Sequence, residues 1–240
     1  MKTLNNFRNC HIGKLSHWLI FTLVNLLILT ACSKDKGGDD SNPPVPHFIL
    51  KFDKQQVAQR KAGLKVEIPK GIADAFIDLN GNLKQDAGEG LESKYYSITT
   101  DVVNIISDKI EQTGLSSKQL ISVEILDSYP DEILNIYYCT ALTSVKVTYA
   151  PRLGFLQLYD NPDLTQVIFP TEPEKIAELQ ELDLQGCNAI KNCLQLFQSL
   201  PNRKGKIQGT VYLTKSPTEE EARTLEDLGW GIVDNSKTKH

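Results

Sequence analysis

Histidine is nearly absent from this chain. Its four residues stand at 11, 17, 47 and 240 of 240 positions. All are expected to lie outside a folded core, so neither the commonest general base nor the commonest neutral metal ligand is expected inside one. No nucleophile–base pair and no spaced acidic dyad stands out either, and the expectation is a protein that is not an enzyme. Long apolar runs are missing too. The longest, Trp18 to Thr30, has 13 residues and is interrupted by Asn25, whereas a membrane-crossing helix needs about 20 apolar residues. A basic excess is also lacking. The 26 Lys and Arg stand against 30 Asp and Glu, for a formal charge of −4, and with no basic stripe nucleic acid is not an expected partner.

What is present begins at the N-terminus. Lys2, Arg8 and Lys14 precede the short apolar run, which closes on Leu29-Thr30-Ala31-Cys32. A basic start, a short apolar stretch and a small residue before the cut read as a secretory signal over residues 1–31. The Leu-x-Ala-Cys sequence resembles the lipobox of bacterial lipoproteins. That resemblance implies cleavage before Cys32 and a lipid carried on Cys32, which would tie the protein to a membrane. Three of the 26 basic residues and none of the 30 acidic ones precede Cys32, so the remainder carries −7. It is long enough to bury a core as one large or two small domains.

Residues 32–46 read as a tether. Ser33 to Asp40 is polar and charged, and Ser41-Asn42-Pro43-Pro44-Val45-Pro46 is stiff and extended. The acidic run after Cys32 resembles the lipoprotein export signal of Bacteroidetes, which implies an outer-membrane anchor with the protein facing the cell exterior. The same composition also suits a plain solvated linker.

From residue 47 to about 115 the pattern is that of a small N-terminal β module. Phe48 to Phe52 and Leu64 to Ile68 alternate or nearly so, and Ala75-Phe76-Ile77 leads into the stretch Asp78 to Glu89. Asp78, Asn80, Asn82, Asp86 and Glu89 fall at calcium-loop positions one, three, five, nine and twelve, which brings several oxygens toward one point. Leu83 stands where the sharp turn wants glycine, and the flanks read as strands rather than helices. The spacing makes Ca2+ the one expected cofactor. Asn-Gly and Asp-Ala-Gly are also turn formers able simply to close a hairpin.

Residues 116–200 carry a repeat. Leu120-Val123-Ile125, Leu142-Val145-Val147 and Leu164-Val167-Phe169 recur in steps of 22 residues. Between them lie Ile133-Ile136-Tyr138, Leu153-Leu156-Leu158 and Leu179-Leu182-Leu184, in steps of 20 and then 26, the longer step containing Thr171-Glu172-Pro173-Glu174. A period in the low twenties with this spacing is the leucine-rich-repeat signature, whose turns must stack to bury a continuous core. Asn161 and Cys187 occupy the position where such repeats place asparagine or cysteine. The other turns offer Ser128, Ala141, Ala150 and Glu172 there, a degenerate ladder.

Residues 201–240 read as an α/β cap. Ile190, Cys193, Leu194 and Phe197 lie at helical spacing and predict a helix ending before Pro201. Val211-Tyr212-Leu213 reads as a strand. A capping box over Ser216-Pro217-Thr218-Glu219 opens a helix that Gly229 ends, and Trp230 to Val233 forms a last strand with Trp230 in the core. With Cys32 lipidated, Cys139, Cys187 and Cys193 are expected as three small buried thiols.

The order of parts resembles the leucine-rich-repeat, internalin-like surface lipoproteins of Bacteroidetes. It runs from lipobox and acidic tether through a β segment with Ile77-Asp78-Leu79-Asn80-Gly81-Asn82 to paired short strands per turn. It closes with Leu200 to Gly209 and Gly229-Trp230. The resemblance implies a mainly β protein with some α: an N-terminal β module, a short solenoid and a C-terminal cap. It implies a protein-binding or adhesion-type role toward an extracellular protein, with a glycan-binding accessory of a surface uptake system as the alternative. Strand alternation points Tyr137, Phe155, Gln157 and Tyr159 outward beside Glu181, Asp183 and Gln185. Aromatics outside the core mark these four as the candidate partner-binding residues.

Overall fold

Short strands, several with period-two burial, turn their apolar sides to one shared core. A computed structural model describes residues 45–69, 75–107, 110–126 and 132–237, all within one compact unit, 43–240. Cys32, the expected leader and the expected tether up to residue 44 fall outside the described residues. The architecture is mainly β: two mixed sheets and few helices, with no closed barrel among the described residues.

The N-terminal strands are antiparallel. In β1 (Phe48–Phe52) Phe48, Leu50 and Phe52 alternate inward. It lies between β5 (Val102–Ile106) and β7 (Leu120–Ile125), antiparallel to both, and β3 (Phe76–Asp78) pairs outside β5. In the other sheet β2 (Gly63–Glu67) lies between β4 (Tyr95–Ser97) and β6 (Gln112–Ser116), again antiparallel. The polar stretch between β1 and β2 holds helix α1 (Lys54–Ala58), started by Asp53, whose carboxylate accepts from the N–H groups of Gln55 and Gln56. The expected boundary between β module and repeat at 115/116 runs through β6. Both stretches share the same sheets and one core, because β1 and β2 satisfy the edges that β7 and β6 would otherwise expose.

From β6 onward the chain passes back and forth between the sheets. β8 (Ile133–Ile136), β10 (Phe155–Gln157) and β12 (Glu181–Asp183) add in parallel to β6. β9 (Ser144–Val147) and β11 (Gln166–Ile168) add in parallel to β7. Val123, Val145 and Val167 sit side by side in the six-stranded sheet, at the expected step of 22. In the eight-stranded sheet Leu134 pairs with Leu156 and Leu156 with Leu182, steps of 22 and 26. The longer step holds a short 3-10 turn, Pro173–Ile176. The expected triad Ile133-Ile136-Tyr138 is therefore out of register by two residues. Leu134 and Ile136 are the inward pair. Tyr138 leaves the core because its φ of 54° turns the chain out of the strand.

The C-terminal part extends the eight-stranded sheet with parallel β13 (Gly209–Leu213) and β14 (Trp230–Asp234). Trp230 packs over Gly209, where a Cβ would come within 2.5 Å of the indole, and its Nε1 donates to the Pro201 carbonyl at 2.8 Å. Helix α2 (Leu194–Gln198) is shorter than its spacing predicts, and Ile190 and Cys193 precede it. The capping box of α3 (Glu219–Asp227) lies two residues beyond the expected one. Thr218 is the N-cap and Glu221 its reciprocal partner, while Ser216 bonds Asp234 instead. His47, expected at a free end, is buried, and its Nδ1 accepts from the Ser107 N–H at 2.7 Å.

Candidate functional site

Strand pairing builds one outer face on the eight-stranded sheet. The inward row Leu134, Leu156, Leu182 and Val211 is flanked by two outward rows. One is Gln112, Ile133, Phe155, Glu181 and Thr210; the other is Gly114, Asn135, Gln157, Asp183 and Tyr212. Just beyond β8 and β10, Tyr137 and Tyr159 stack with centroids 5.4 Å apart and planes within 9°. Tyr138 stands edge-on to both, at 5.5 Å and 79° to Tyr137 and at 6.1 Å and 85° to Tyr159. The four residues expected on this face thus do share it. Tyr137, however, is only 9 % exposed, whereas Tyr138, expected inside, is 56 % exposed. Alternation alone hides Tyr138, since only its backbone angle reveals the exit.

That exit is common to three turns. Tyr138, Asp160 and Gly186 all have positive φ, 54°, 56° and 74°. Gly186 is obligatory, because a Cβ there would meet Asp160 Oδ1 at 2.5 Å. The next residue in each turn, Cys139, Asn161 or Cys187, is buried. Asn161 Oδ1 accepts from the Cys139 N–H at 2.9 Å, and its Nδ2 donates to the carbonyls of Ile136 and Leu158 at 2.8 and 2.9 Å. The Cys139 thiol accepts from Ser117 N–H at 3.3 Å, and the Cys187 thiol donates to the Leu158 carbonyl at 2.8 Å. Cys139 rather than Ala141 therefore fills the ladder position, as the two-residue shift in β8 requires. Cys139, Cys187 and Cys193 are unbridged, and burial pushes their thiols up to about 12, 12 and 11.

The polar groups of the face are unevenly satisfied. Tyr137 donates its hydroxyl proton to Glu67 Oε2, and the Lys65 ammonium contacts Glu67 Oε1. Lys65 first, then Tyr137, holds the Glu67 carboxyl below its usual range. Burial and Glu67 together push the Tyr137 phenol up, so both groups favour a neutral phenol on a carboxylate. Gln157 donates to Glu181 at 2.6 Å. Asp183 accepts from the Gln185 N–H at 2.9 Å and is pushed up by burial and by the negative Glu181 and Asp160. Among the described residues no lysine or arginine pairs with Asp160, Glu181 or Asp183. A recess of about 310 Å3, lined by Glu67, Ile68, Pro69, Gln112, Gly114 and Asn135, opens beside the rings. The buried Oδ1 of Asn135 has no hydrogen-bond partner.

The stretch 78–89 is a separate, wound loop. Buried Asp78 accepts from the N–H groups of Gly81, Asn82 and Leu83 at 2.7, 3.1 and 3.2 Å, and from Asn104 Nδ2 at 2.9 Å. Buried Glu89 spans the loop, accepting from Leu79 and Asp86 N–H groups, both at 2.9 Å. Asn80 and Asn82 donate to Asp86 Oδ2 at 2.6 and 2.8 Å. Leu83, at the position that wants glycine, takes φ of 57° and makes the sharp turn nonetheless. Asp78, Asn80, Asn82, Asp86 and Glu89 are thus brought together. Among the described residues, however, no group of three or more His, Cys, Asp or Glu side chains is arranged to hold a metal. No helix among the described residues is long and apolar enough to cross a membrane.

Comparison with protein-family models, with curated proteins and with solved structures finds no match for this chain.

Proposed function

We propose that this protein is a lipid-anchored surface module that binds an extracellular protein through the outer face of its eight-stranded sheet. The observation that carries this is the ring cluster Tyr137, Tyr138 and Tyr159, set in a row of regularly spaced polar residues outside the core. Aromatic side chains concentrate at interface centres because they bring large, stiff contact area at little entropic cost. The scaffold under the face is a short solenoid of leucine-rich-repeat type. Its support is the 22-residue register and the buried ladder Cys139, Asn161 and Cys187, in which side chains bond the neighbouring turn. Its task is binding, not catalysis.

Cys32 supplies the anchor, with an outer-membrane location and an outward orientation. Changing Cys32→Ser is expected to release the protein from membranes, and protease added to intact cells is expected to digest it. Retention of the variant, or full protection, would overturn the anchor and the orientation respectively. The loop 78–89 takes calcium through its oxygens at calcium-loop spacing, its carboxylates exchanging the backbone N–H groups that now hold them for the ion. Millimolar calcium then raises the melting temperature of the wild type by mass action, and less so that of Asp78→Ala.

The face is tested with Phe155→Ala and Tyr159→Ala together. If these rings are anchors, partner binding weakens by about 2–4 kcal/mol, with a smaller loss of stability from the broken Tyr137 stack. A glycan-binding accessory is the second reading, favoured by the unpartnered Asn135 oxygen in the recess beside the rings. Binding of a neutral polysaccharide lost in the same double variant would select it.

A further inference from the structure

The ring cluster is bordered by charge of one sign. Along the outward rows of the eight-stranded sheet, Glu67 is exposed and Glu181 and Asp183 are half-buried, with exposed Asp160 at the turn above them; among the described residues of these rows Lys65 is the one cation. Lys65 is already committed to Glu67. Lys215, on the loop beyond β13, donates to the Asn188 carbonyl at 2.8 Å. What compensates Glu181 is the neutral amide of Gln157, and what compensates Asp183 is one backbone N–H. The face therefore holds repulsion among Asp160, Glu181 and Asp183 that no cation among the described residues relieves.

We infer that the partner seats a basic segment here, with an arginine or lysine over the exposed Tyr138 ring and the half-buried Tyr159 ring and a neighbouring cation on Glu181 and Asp183. This rests on the reading of the face as the binding surface and names the chemistry of what it binds. Two physical terms act together. A cation over a phenol ring is drawn by the negative face of the ring. A second cation between the carboxylates turns mutual repulsion into pairing, which steers encounter and rejects acidic partners. The geometry of Tyr138 fits the first term, because its left-handed backbone lifts the ring out of the sheet, 56 % exposed. A neutral saccharide would use the rings but leave the carboxylates unrelieved.

The test uses the full chain and a fluorescent oligo-arginine peptide at near-physiological ionic strength, with an uncharged oligosaccharide panel in parallel. Three variants are compared with wild type. Glu181→Gln with Asp183→Asn removes the charge. Tyr138→Gly removes the ring and keeps the turn. Glu219→Gln with Glu220→Gln removes the same charge from the exposed start of α3. The proposal expects the peptide to bind the wild type, to bind each of the two face variants at least about tenfold more weakly, and to bind the α3 variant nearly as wild type. Equal losses in both charge variants would show bulk attraction and overturn it, as would failure of the peptide to bind. Oligosaccharide binding lost in Tyr138→Gly without peptide binding would overturn the basic partner and leave the face standing. Unchanged binding of every probe and of native partner in all face variants would overturn both.

Discussion

Asn161 ties together backbone groups of successive turns in the parallel part of the fold. Its amide accepts from one turn and donates to two carbonyls, wholly out of solvent. Asn161→Ala leaves the Cys139 N–H and the Ile136 carbonyl buried without partners, while the Leu158 carbonyl keeps the Cys187 thiol, at about 1–3 kcal/mol for each orphaned group where water cannot enter. The expected loss is about 3–5 kcal/mol in urea unfolding, and a loss below about 1 kcal/mol would show that the ladder is not load-sharing. The neighbouring thiols give a pH signature. Burial raises Cys139 and Cys187 to about 12 in the folded state, against about 8.5 in an unfolded chain. The folded state thus binds protons more tightly. Its stability is full below about pH 8.5 and falls as pH rises toward 12. From about pH 8 to about pH 10 the wild type is expected to lose roughly 1–2 kcal/mol per thiol more than Cys139→Ala with Cys187→Ala, measured as the difference in denaturation midpoints. Leu83 offers the opposite test. Glycine removes the left-handed penalty of about 1–2 kcal/mol at the cost of about 0.5–1 kcal/mol of chain entropy. Leu83→Gly should accordingly hold or raise the melting temperature.

Among the elements, α3 shows how a local signal is shared with tertiary structure. Thr218 and Glu221 close a capping box, but Glu221 is 8 % exposed and its Oε1 also accepts from the Cys193 N–H ahead of α2 at 2.8 Å. Thr218→Ala is expected to cost about 1 kcal/mol, the usual worth of a cap. Glu221→Ala should cost clearly more, since it also orphans the start of a second helix. Equal effects in thermal unfolding would show the link to α2 to be idle. The box was legible as a motif, with Pro217 nearby, yet its position was not, because Ser216 and Thr218 are both competent caps and only the contact with Cys193 chooses between them. The same holds for β8. Leu134 and Ile136 against Ile133 and Ile136 is a choice that spacing leaves open, and the partner strand β10 settles it by setting Leu134 beside Leu156. Tyr138 went unseen for that reason, while Phe155, Gln157 and Tyr159, in a strand with no such ambiguity, were legible on the outer face.

At the scale of the whole molecule, the 22-residue period of the six-stranded sheet, the outer place of Phe155, Gln157 and Tyr159 and the final strands could be read directly, because they depend on near neighbours in the repeat. The union of the N-terminal strands with the repeat could not. It rests on pairings such as Leu50 with Val123 and Val66 with Leu115, 73 and 49 residues apart, which leave no local trace. One consequence is that residues 47–115 and 116–240 are not separable. Removing the first stretch strips β1 from β7 and β6 from β8, and the remaining fragment is expected to show no cooperative unfolding by circular dichroism. The intact chain should unfold in a single transition.

The junction of antiparallel and parallel strands also governs how such a molecule can change its length. On one side β1 and β2 run against their neighbours, so no further parallel turn can be grafted there without breaking their pairings. On the other, Trp230 and its strand close the eight-stranded sheet after the six-stranded one has already stopped at β11. Growth by gene duplication is confined to the interior. A tandem copy of residues 133–154, one 22-residue period, would add a strand to each sheet and a further tyrosine to the stack between Tyr137 and Tyr159, widening the recognition surface while both ends stay as they are.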